Sequence, residues 1–503
     1  MHIVADALGQ PSVPPIADNG QALYVSGLMA LRNGDAQEAV TLLTQALHRR
    51  PRHPGMRRNL VRALLVAERW EQAAMQANAA LAGSQDDAEL YFAHATALNA
   101  LGYHARACAA FARALSLQPN HAPSWLNMGN ASADLGDFVS AETLYRTAIR
   151  LDLALVEAHA SLGYLLTMQG RLPEAIEACE AAIHLCPDFV QAHWNLAIAA
   201  LLSGDLPRGF AEYEWRKRHA RYQAGFPPLP GRRWDGSDPS GRTILVRAEQ
   251  GFGDAIQFAR YLPLISAAGG LPILVCAPPL LPLIQSMPGV KAVASSGALP
   301  AYDAWIDQAS LPHVFGTTLD TIPAADGFLR AEPRRMRDWC ARLPNGRKIG
   351  VVFAGNPRHP GDRRRSVPLN LIDTLLNIPG ISWVNLHYGE AARGLGLPDQ
   401  TPWLTDYAET AALIESLDLV VSVDTSVAHL AGALGKPVWI LLPHAPDWRW
   451  LLNRTDNPWY RSARLFRQSA AGDWASALTQ VVHAIEQHPF EQTRKSRDPT
   501  ESQ

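Results

Sequence analysis

The sequence predicts an all-α repeat array followed by an α/β half made of two parallel-sheet lobes. Three observations carry this prediction. Glycines recur at multiples of 34 residues; after residue 223 helix-length patterns give way to short apolar runs; and residues 416–432, SLDLVVSVDTSVAHLAG, read as a buried strand turning directly into a helix. At 503 residues the chain exceeds what one hydrophobic core supports. It is 48% hydrophobic and 18% charged with a formal net charge of −2, which is globular and gives no overall field for nucleic acid or anionic lipid. The five cysteines are scattered without a C-x-x-C pair, which argues against a disulfide scaffold and a zinc site and fits a reducing compartment. No apolar run approaches the roughly 18 residues of a membrane span. The start, MHIVADALGQPSVPP, lacks a basic segment followed by an apolar core. A cytoplasmic protein without transmembrane segment or nucleic-acid partner is expected.

The array spans 20–223, after an N-terminal extension at 1–19. Gly34, Gly102, Gly136, Gly170 and Gly204 keep the period, with Glu68 as the exception. Ala39, Ala73, Ala107, Ala141 and Ala175 form a second row, Ala46, Ala80, Ala114, Ala148 and Ala182 a third, and Pro51, Pro119 and Pro187 a fourth. Small residues at fixed offsets let two helices per unit approach closely, and proline marks the exit turn. The pattern resembles the tetratricopeptide repeat, with units starting near 20, 54, 88, 122, 156 and 190. That resemblance implies a right-handed solenoid with a concave groove.

Asn59, Asn127 and Asn195 stand sixth in alternate units, while Val25, Ala93 and Ser161 occupy the others. An amide donates to and accepts from an extended peptide at once. The row is similar to the asparagine ladder of protein O-GlcNAc transferases, which implies a peptide groove; asparagines merely tolerated on a solvated helix face are an equal alternative.

A linker rich in Pro, Gly and Arg follows at 224–241. Strands are then expected at Thr243–Val246, Pro272–Cys276, Ile349–Phe353, Trp383–Leu386, Leu417–Val423 and Pro437–Leu442. A Pro-rich region at 297–331 and a helix over 332–343 separate two Rossmann-like lobes, 242–345 and 346–490, facing each other across a cleft. The tail at 491–503 is expected to be disordered.

In the first lobe a strand runs into Gly251-Phe252-Gly253, and Asp254 starts a helix. Ile256 replaces the third glycine of a dinucleotide fingerprint, so a nicotinamide cofactor is disfavoured. The glycines are expected to allow a tight turn that projects Asp254 into the cleft. Glu249 and Gln250 are candidates for the acceptor side. In the second lobe Asn356 opens an irregular loop, and Arg363, Arg364 and Arg365 precede Ser366, a candidate N-cap for a helix over 367–377. Guanidinium groups beside a helix N-terminus suit a diphosphate, with Arg365 the first choice. Asp424, Thr425, Ser426 and His429 form the strand-to-helix edge where open α/β sheets bind ligands. The alternative for that edge is a plain cap with a packed histidine.

Together these residues resemble glycosyltransferase family 9, the ADP-heptose heptosyltransferases. DTSVAHLAGALGKPV (424–438) is similar to that family's D-T-G-x-x-H-x-A-x-A-x-G-x-P signature, Gly253-Asp254 to its Gly-Asp pair, and Arg365 to its phosphate-binding basic residue. Ser426 stands where the family usually has glycine. The resemblance implies a GT-B fold with the donor in the C-terminal lobe and the acceptor against the N-terminal one. It implies Asp254 as the catalytic base of an inverting transfer, and Arg365, Ser366, Asn356, Asp424, Thr425, Ser426 and His429 around a nucleotide-sugar donor. Glu249, Gln250 and Gly253 then belong to the acceptor side. No D-x-D motif suited to a sugar-nucleotide metal occurs, so neither a metal nor another cofactor is expected. Asp447-Trp448-Arg449-Trp450 offers an aromatic wall, with at least one tryptophan in the core. Repeats fused to GT-B lobes suggest a protein or polysaccharide acceptor. The competing expectation is an inactive repeat and GT-B scaffold for protein–protein interaction.

Overall fold

The computed structural model describes residues 19–83, 86–357, 361–389 and 394–487. The expected N-terminal extension (but for residue 19), the tail, and Pro360 of the arginine loop lie outside them. The chain divides into two compact units, Met1–Leu196 and Ala197–Gln503.

The first unit is all-helical: α1 (Asn19–Arg32), α2 (Ala36–Arg49), α3 (Pro54–Val66), α4 (Trp70–Leu81), α5 (Ala88–Ala100), α6 (His104–Leu117), α7 (Ala122–Asp134), α8 (Phe138–Leu151), α9 (Val156–Met168), α10 (Leu172–Leu185) and α11 (Val190–Ser203), which runs on into the second unit. The period of 34 has a backbone cause. Gly34, Gly102, Gly136 and Gly170 end the first helix of each pair at φ between 73° and 88°, the left-handed region, and Glu68 adopts φ 57° at the same place. Ala39, Ala73, Ala107, Ala141 and Ala175 are fully buried, so the second row holds paired helices close. Gly129 acts likewise, since a Cβ there would lie 2.6 Å from Tyr145 Cε1.

The second unit starts inside α11 and includes α12 (Leu206–Tyr213). It begins earlier than the linker expected at 224–241. The physical reason is packing: Phe210 of α12 meets Trp448 and Trp459 edge-on at 5.5 and 6.3 Å. Just after α12, Arg216 is buried in an ion pair with Glu249.

Two five-stranded, all-parallel sheets follow. The first contains β1 (Arg232–Arg233), β2 (Thr243–Arg247), β3 (Leu271–Cys276), β4 (Lys291–Ala294) and β5 (Ala304–Asp307), in the order β1-β5-β2-β3-β4. The second contains β6 (Arg347–Val352), β7 (Ile381–Asn385), β8 (Leu419–Val423), β9 (Val438–Leu442) and β10 (Ala463–Arg467), in the order β10-β9-β8-β6-β7. The Pro-rich stretch expected to separate the lobes therefore holds an inner strand, β5. Longer helices are α13 (Phe252–Phe258), α14 (Pro333–Arg342), α15 (Tyr407–Glu415), α16 (Ser426–Ala433) and α17 (Trp474–Gln487). Apolar side chains of β6, β8 and β9 share a core with Trp474, Leu478, Val481 and Ile485 of α17. Helix α14 joins the second lobe, where Arg335 pairs with Glu409 of α15 at 2.8 Å and the Trp339 indole donates to Glu409 at 2.9 Å. No helix among the described residues is long and apolar enough to cross a membrane.

Candidate functional site

All five residues of β8 are buried, as a strand covered on both faces requires. Its carboxyl end leads through Asp424 to Thr425, the extended N-cap of α16 (φ −143°, ψ 170°). The Thr425 hydroxyl does not cap the helix; it lies 3.1 Å from the Ser422 hydroxyl. The Ser426 hydroxyl accepts from the Tyr407 phenol at 2.8 Å. Burial works to raise the Asp424 pKa, but His429, Arg449 and Trp450 favour the ionised form more strongly, and the net direction is down. His429 is only 5% exposed; its Nε2 is 3.7 Å from Asp424 Oδ1 and its Nδ1 3.0 Å from Tyr460 Oη.

Of the three arginines, Arg363 and Arg364 are exposed while Arg365 turns inward. Its Nε donates to Asp362 at 3.1 Å and its Nη1 to the Asp424 carbonyl at 3.1 Å, which ties the arginine loop to the β8–α16 turn. Gly355 permits this approach, because a Cβ there would lie 2.6 Å from Arg365 Nη2. Ser366 does not cap a following helix. It ends the single turn Asp362–Arg365, donates to Asp362 at 3.2 Å and accepts from the Gly355 N–H at 3.2 Å. The helix expected over 367–377 is broken into two short turns, Leu369–Leu371 and Asp373–Leu376. Asn356 is exposed in the loop after β6.

Asp254 is the third residue of α13. One carboxylate oxygen accepts the Gly251 N–H at 3.0 Å, and the other is ion-paired with Arg449. Arg449 is 7% exposed and also donates to Asp447 at 2.8 Å and Gln257 at 2.6 Å. Burial pulls its pKa down, but Asp447, Asp254 and Tyr213 outweigh that and hold it cationic. Neither Gly251 nor Gly253 adopts a positive φ, so they are not the tight-turn glycines expected. Gly253 answers a packing need: a Cβ would lie 2.7 Å from His429 Cδ2. Asp254, Arg449, His429, Asp424 and Arg365 thus form one connected cluster at the carboxyl edges of both sheets.

Other expectations are corrected. Glu249 is 3% exposed, paired with Arg216 at 2.8 Å and accepting from the Ala309 N–H at 3.3 Å, so it is a buried structural anion and not an acceptor-side group. Burial raises its pKa, against the pull of Arg216. Gln250 is half-buried and donates to the Tyr213 phenol at 2.8 Å. The asparagines do not line an open ladder. Asn59 is buried, donating to Tyr24 Oη at 2.6 Å and to the Gly55 carbonyl at 3.0 Å. Asn195 is buried, donating to the Ala160 carbonyl at 2.9 Å and accepting from Gln191 at 2.8 Å. Both staple one repeat to its neighbour. Asn127 is half-buried and accepts from Asn130 at 3.4 Å.

Trp448 and Trp450 are 2% and 0% exposed, so both belong to the core and neither forms an open wall. Sequence reasoning passed over Arg449, between them, because its partner Asp254 lies 195 residues away. Tyr407 and Tyr460 carried no local signal. Among the described residues no group of three or more His, Cys, Asp or Glu is placed to hold a metal.

Models of the tetratricopeptide repeat match residues 30–96, 88–121 and 126–188. The model of glycosyltransferase family 9 (heptosyltransferase) matches residues 404–448, from just before α15 to Trp448. The chain therefore joins tetratricopeptide repeats to a region of glycosyltransferase family 9 character, which supports glycosyltransferase activity in general. Among individual proteins, it is 26% identical over 502 residues to protein FlbA of Caulobacter vibrioides, covering 93% of this chain and 84% of that one. It is 29% identical over 118 residues to human tetratricopeptide repeat protein 8, covering 23% of this chain and 21% of that one. A tetratricopeptide repeat protein of Thermus thermophilus, known from a crystal structure, is 25% identical with a TM-score of 0.33, covering 36% of this chain and 99% of that one.

Proposed function

We propose that the protein transfers a sugar, with inversion, from a nucleotide-diphosphate donor to an acceptor hydroxyl, and that its repeats recruit a protein or polysaccharide-assembly partner. The observation that carries this reading is the meeting of α13 and α16 at Gly253 and His429, which sets Asp254 beside the turn matched by the family 9 model. In this reading Asp254 takes the proton of the attacking hydroxyl; each of its oxygens accepts one bond and retains a further lone pair. Arg365 and the backbone N–H groups opening α16 face the diphosphate. Asp424, held ionised, repels phosphate and hydrogen-bonds donor hydroxyls instead. No metal is called for, since Arg365 and the helix N-terminus supply the positive charge. A cytoplasmic location is part of the reading, supported by five scattered cysteines without a C-x-x-C pair.

Isothermal titration with ADP, UDP and GDP sugars, followed by mass spectrometry of products from mixed donors and lysate, tests it. Asp254→Asn should lower turnover by about 10²–10⁴-fold while leaving donor affinity nearly intact. Preserved turnover in that variant would remove Asp254 as the base. The Asp254–Arg449 ion pair favours a second reading, an inactive scaffold, in which no nucleotide sugar binds.

A further inference from the structure

His429 sits in α16 with Nδ1 3.0 Å from the Tyr460 phenol and Nε2 facing the Asp424 carboxylate at 3.7 Å. Its ring stacks on Trp450 at 5.2 Å and 27°, and Tyr460 meets its edge at 5.7 Å and 62°. Gly253 closes another side. Tyr460 is itself firmly seated. A Cβ on Gly432, one turn beyond His429, would lie 2.5 Å from Tyr460 Cδ1, so glycine is what makes room for the ring. The Arg260 guanidinium lies 4.8 Å from the Tyr460 ring centroid, and the Tyr460 N–H donates to Asn457 at 3.1 Å.

We propose that Tyr460 is a positioning residue of the candidate donor site: it donates to His429 Nδ1, so that the neutral ring presents Nε2–H to the Asp424 carboxylate, and His429 orients Asp424 without touching the donor. The word donor rests on the glycosyltransferase reading; the arrangement of protons does not. Burial pushes the Tyr460 phenol up to about 12, so it keeps its proton near neutral pH. Given to Nδ1 at 3.0 Å, that proton leaves the ring's own hydrogen on Nε2, facing Asp424 Oδ1 at 3.7 Å. A small shift closes that separation to a hydrogen bond, as catalytic contacts commonly do when a ligand binds. The opposite tautomer sets the Nε2 lone pair against a carboxylate oxygen and deprives the phenol proton of its acceptor, a double cost inside a buried site. This also changes the role expected of His429, from a contact of the nucleotide-sugar donor to support for Asp424.

Long-range ¹H–¹⁵N spectra of the full chain labelled with ¹⁵N-histidine, with His429 assigned by its loss in His429→Gln, distinguish the two tautomers and the imidazolium. The expected result is Nε2–H in the unaltered protein with a hydrogen-bonded Nδ1, and in Tyr460→Phe, which keeps the ring and its packing, an Nδ1 resonance moved toward that of an imidazole nitrogen accepting no hydrogen bond. An Nδ1–H or imidazolium His429 in the unaltered protein, or an unmoved Nδ1 resonance in Tyr460→Phe, would overturn the proposal. Titration of the same proteins with nucleotide sugars gives the second readout. Tyr460→Phe and His429→Gln should each weaken binding roughly tenfold, and the double variant no further, as expected for residues acting through one another. Full additivity would count against a shared role. Absence of nucleotide-sugar binding in the unaltered protein would overturn the glycosyltransferase reading, while the tautomer spectra would still decide the Tyr460–His429–Asp424 arrangement.

Discussion

In the repeat unit, buried polar side chains fasten the chain to itself: Asn59 bonds Tyr24, and Asn195 bonds the Ala160 carbonyl. In the sheet unit they converge from separate elements: Arg365 bonds the Asp424 carbonyl, His429 faces the Asp424 carboxylate, and Arg449 pairs with Asp254 while its charge favours ionised Asp424. Asn59 and Asn195 serve geometry, because each is buried and bonds the neighbouring repeat. The sheet cluster holds several charges in a small volume, an arrangement that costs desolvation and is a common mark of function. A polar residue type at regular spacing is therefore a weaker sign of binding than unlike charges gathered from distant positions.

The contrast can be broken first at α12. By sequence Phe210 belongs to the repeats, yet it packs on Trp448 and Trp459 of the sheet unit. Phe210→Ala should destabilise the sheet unit by about 3–5 kcal/mol in urea denaturation and leave the repeat transition unmoved; a shift confined to the repeats would reassign the helix. Next comes His387, whose Nε2 accepts the Phe353 and Ala354 N–H groups at 2.9 and 3.2 Å, and whose Nδ1 lies 2.9 Å from Asn385 Oδ1. Burial depresses its pKa to about 4 from 6.5. The folded-state value is below the unfolded one, so the contribution is complete above pH 6.5 and is lost as pH falls toward 4. The loss should reach about 3 kcal/mol, with a shallower pH dependence in His387→Gln, measured by denaturation across that window. Smaller still, Asn195→Ala should cost the repeats about 1–2 kcal/mol by removing the buried bond that its amide adds at the Ala160 carbonyl, with no change in nucleotide-sugar affinity. Smallest, Glu68→Gly should raise the repeat melting transition, by about 0.5–1 kcal/mol, because it relieves a left-handed backbone. No gain there would mean that the other period-34 glycines are dispensable too.

The helix pairs were legible because their glycines answer a backbone requirement that recurs without variation. The strands of the second sheet were legible, apart from β10, because strands buried on both faces need unbroken apolar runs. Strand β5 was not, since Ala-Trp-Ile-Asp is short and its flanks are rich in alanine and proline. At the site, Asp254, Arg365, Asp424 and His429 stood out because each lies in the segment that follows a strand's carboxyl end, where the chain turns into a helix. Ser366 misled because a serine before Val-Pro-Leu reads as a cap, whereas the chain had already completed its helical turn. Arg449 and Tyr460 act through partners nearly two hundred and about thirty residues away, |i−j| of 195 and 31, and no local window contains such pairs.

The contact between Gly253 and His429 has a practical consequence. With only a hydrogen atom separating backbone from imidazole, residue 253 works as a shim of adjustable thickness between the two helix ends. Alanine and then serine at that position would pry Asp254 away from the Asp424 turn in small increments, giving a graded series in which the tolerance of the chemistry to distance can be read directly.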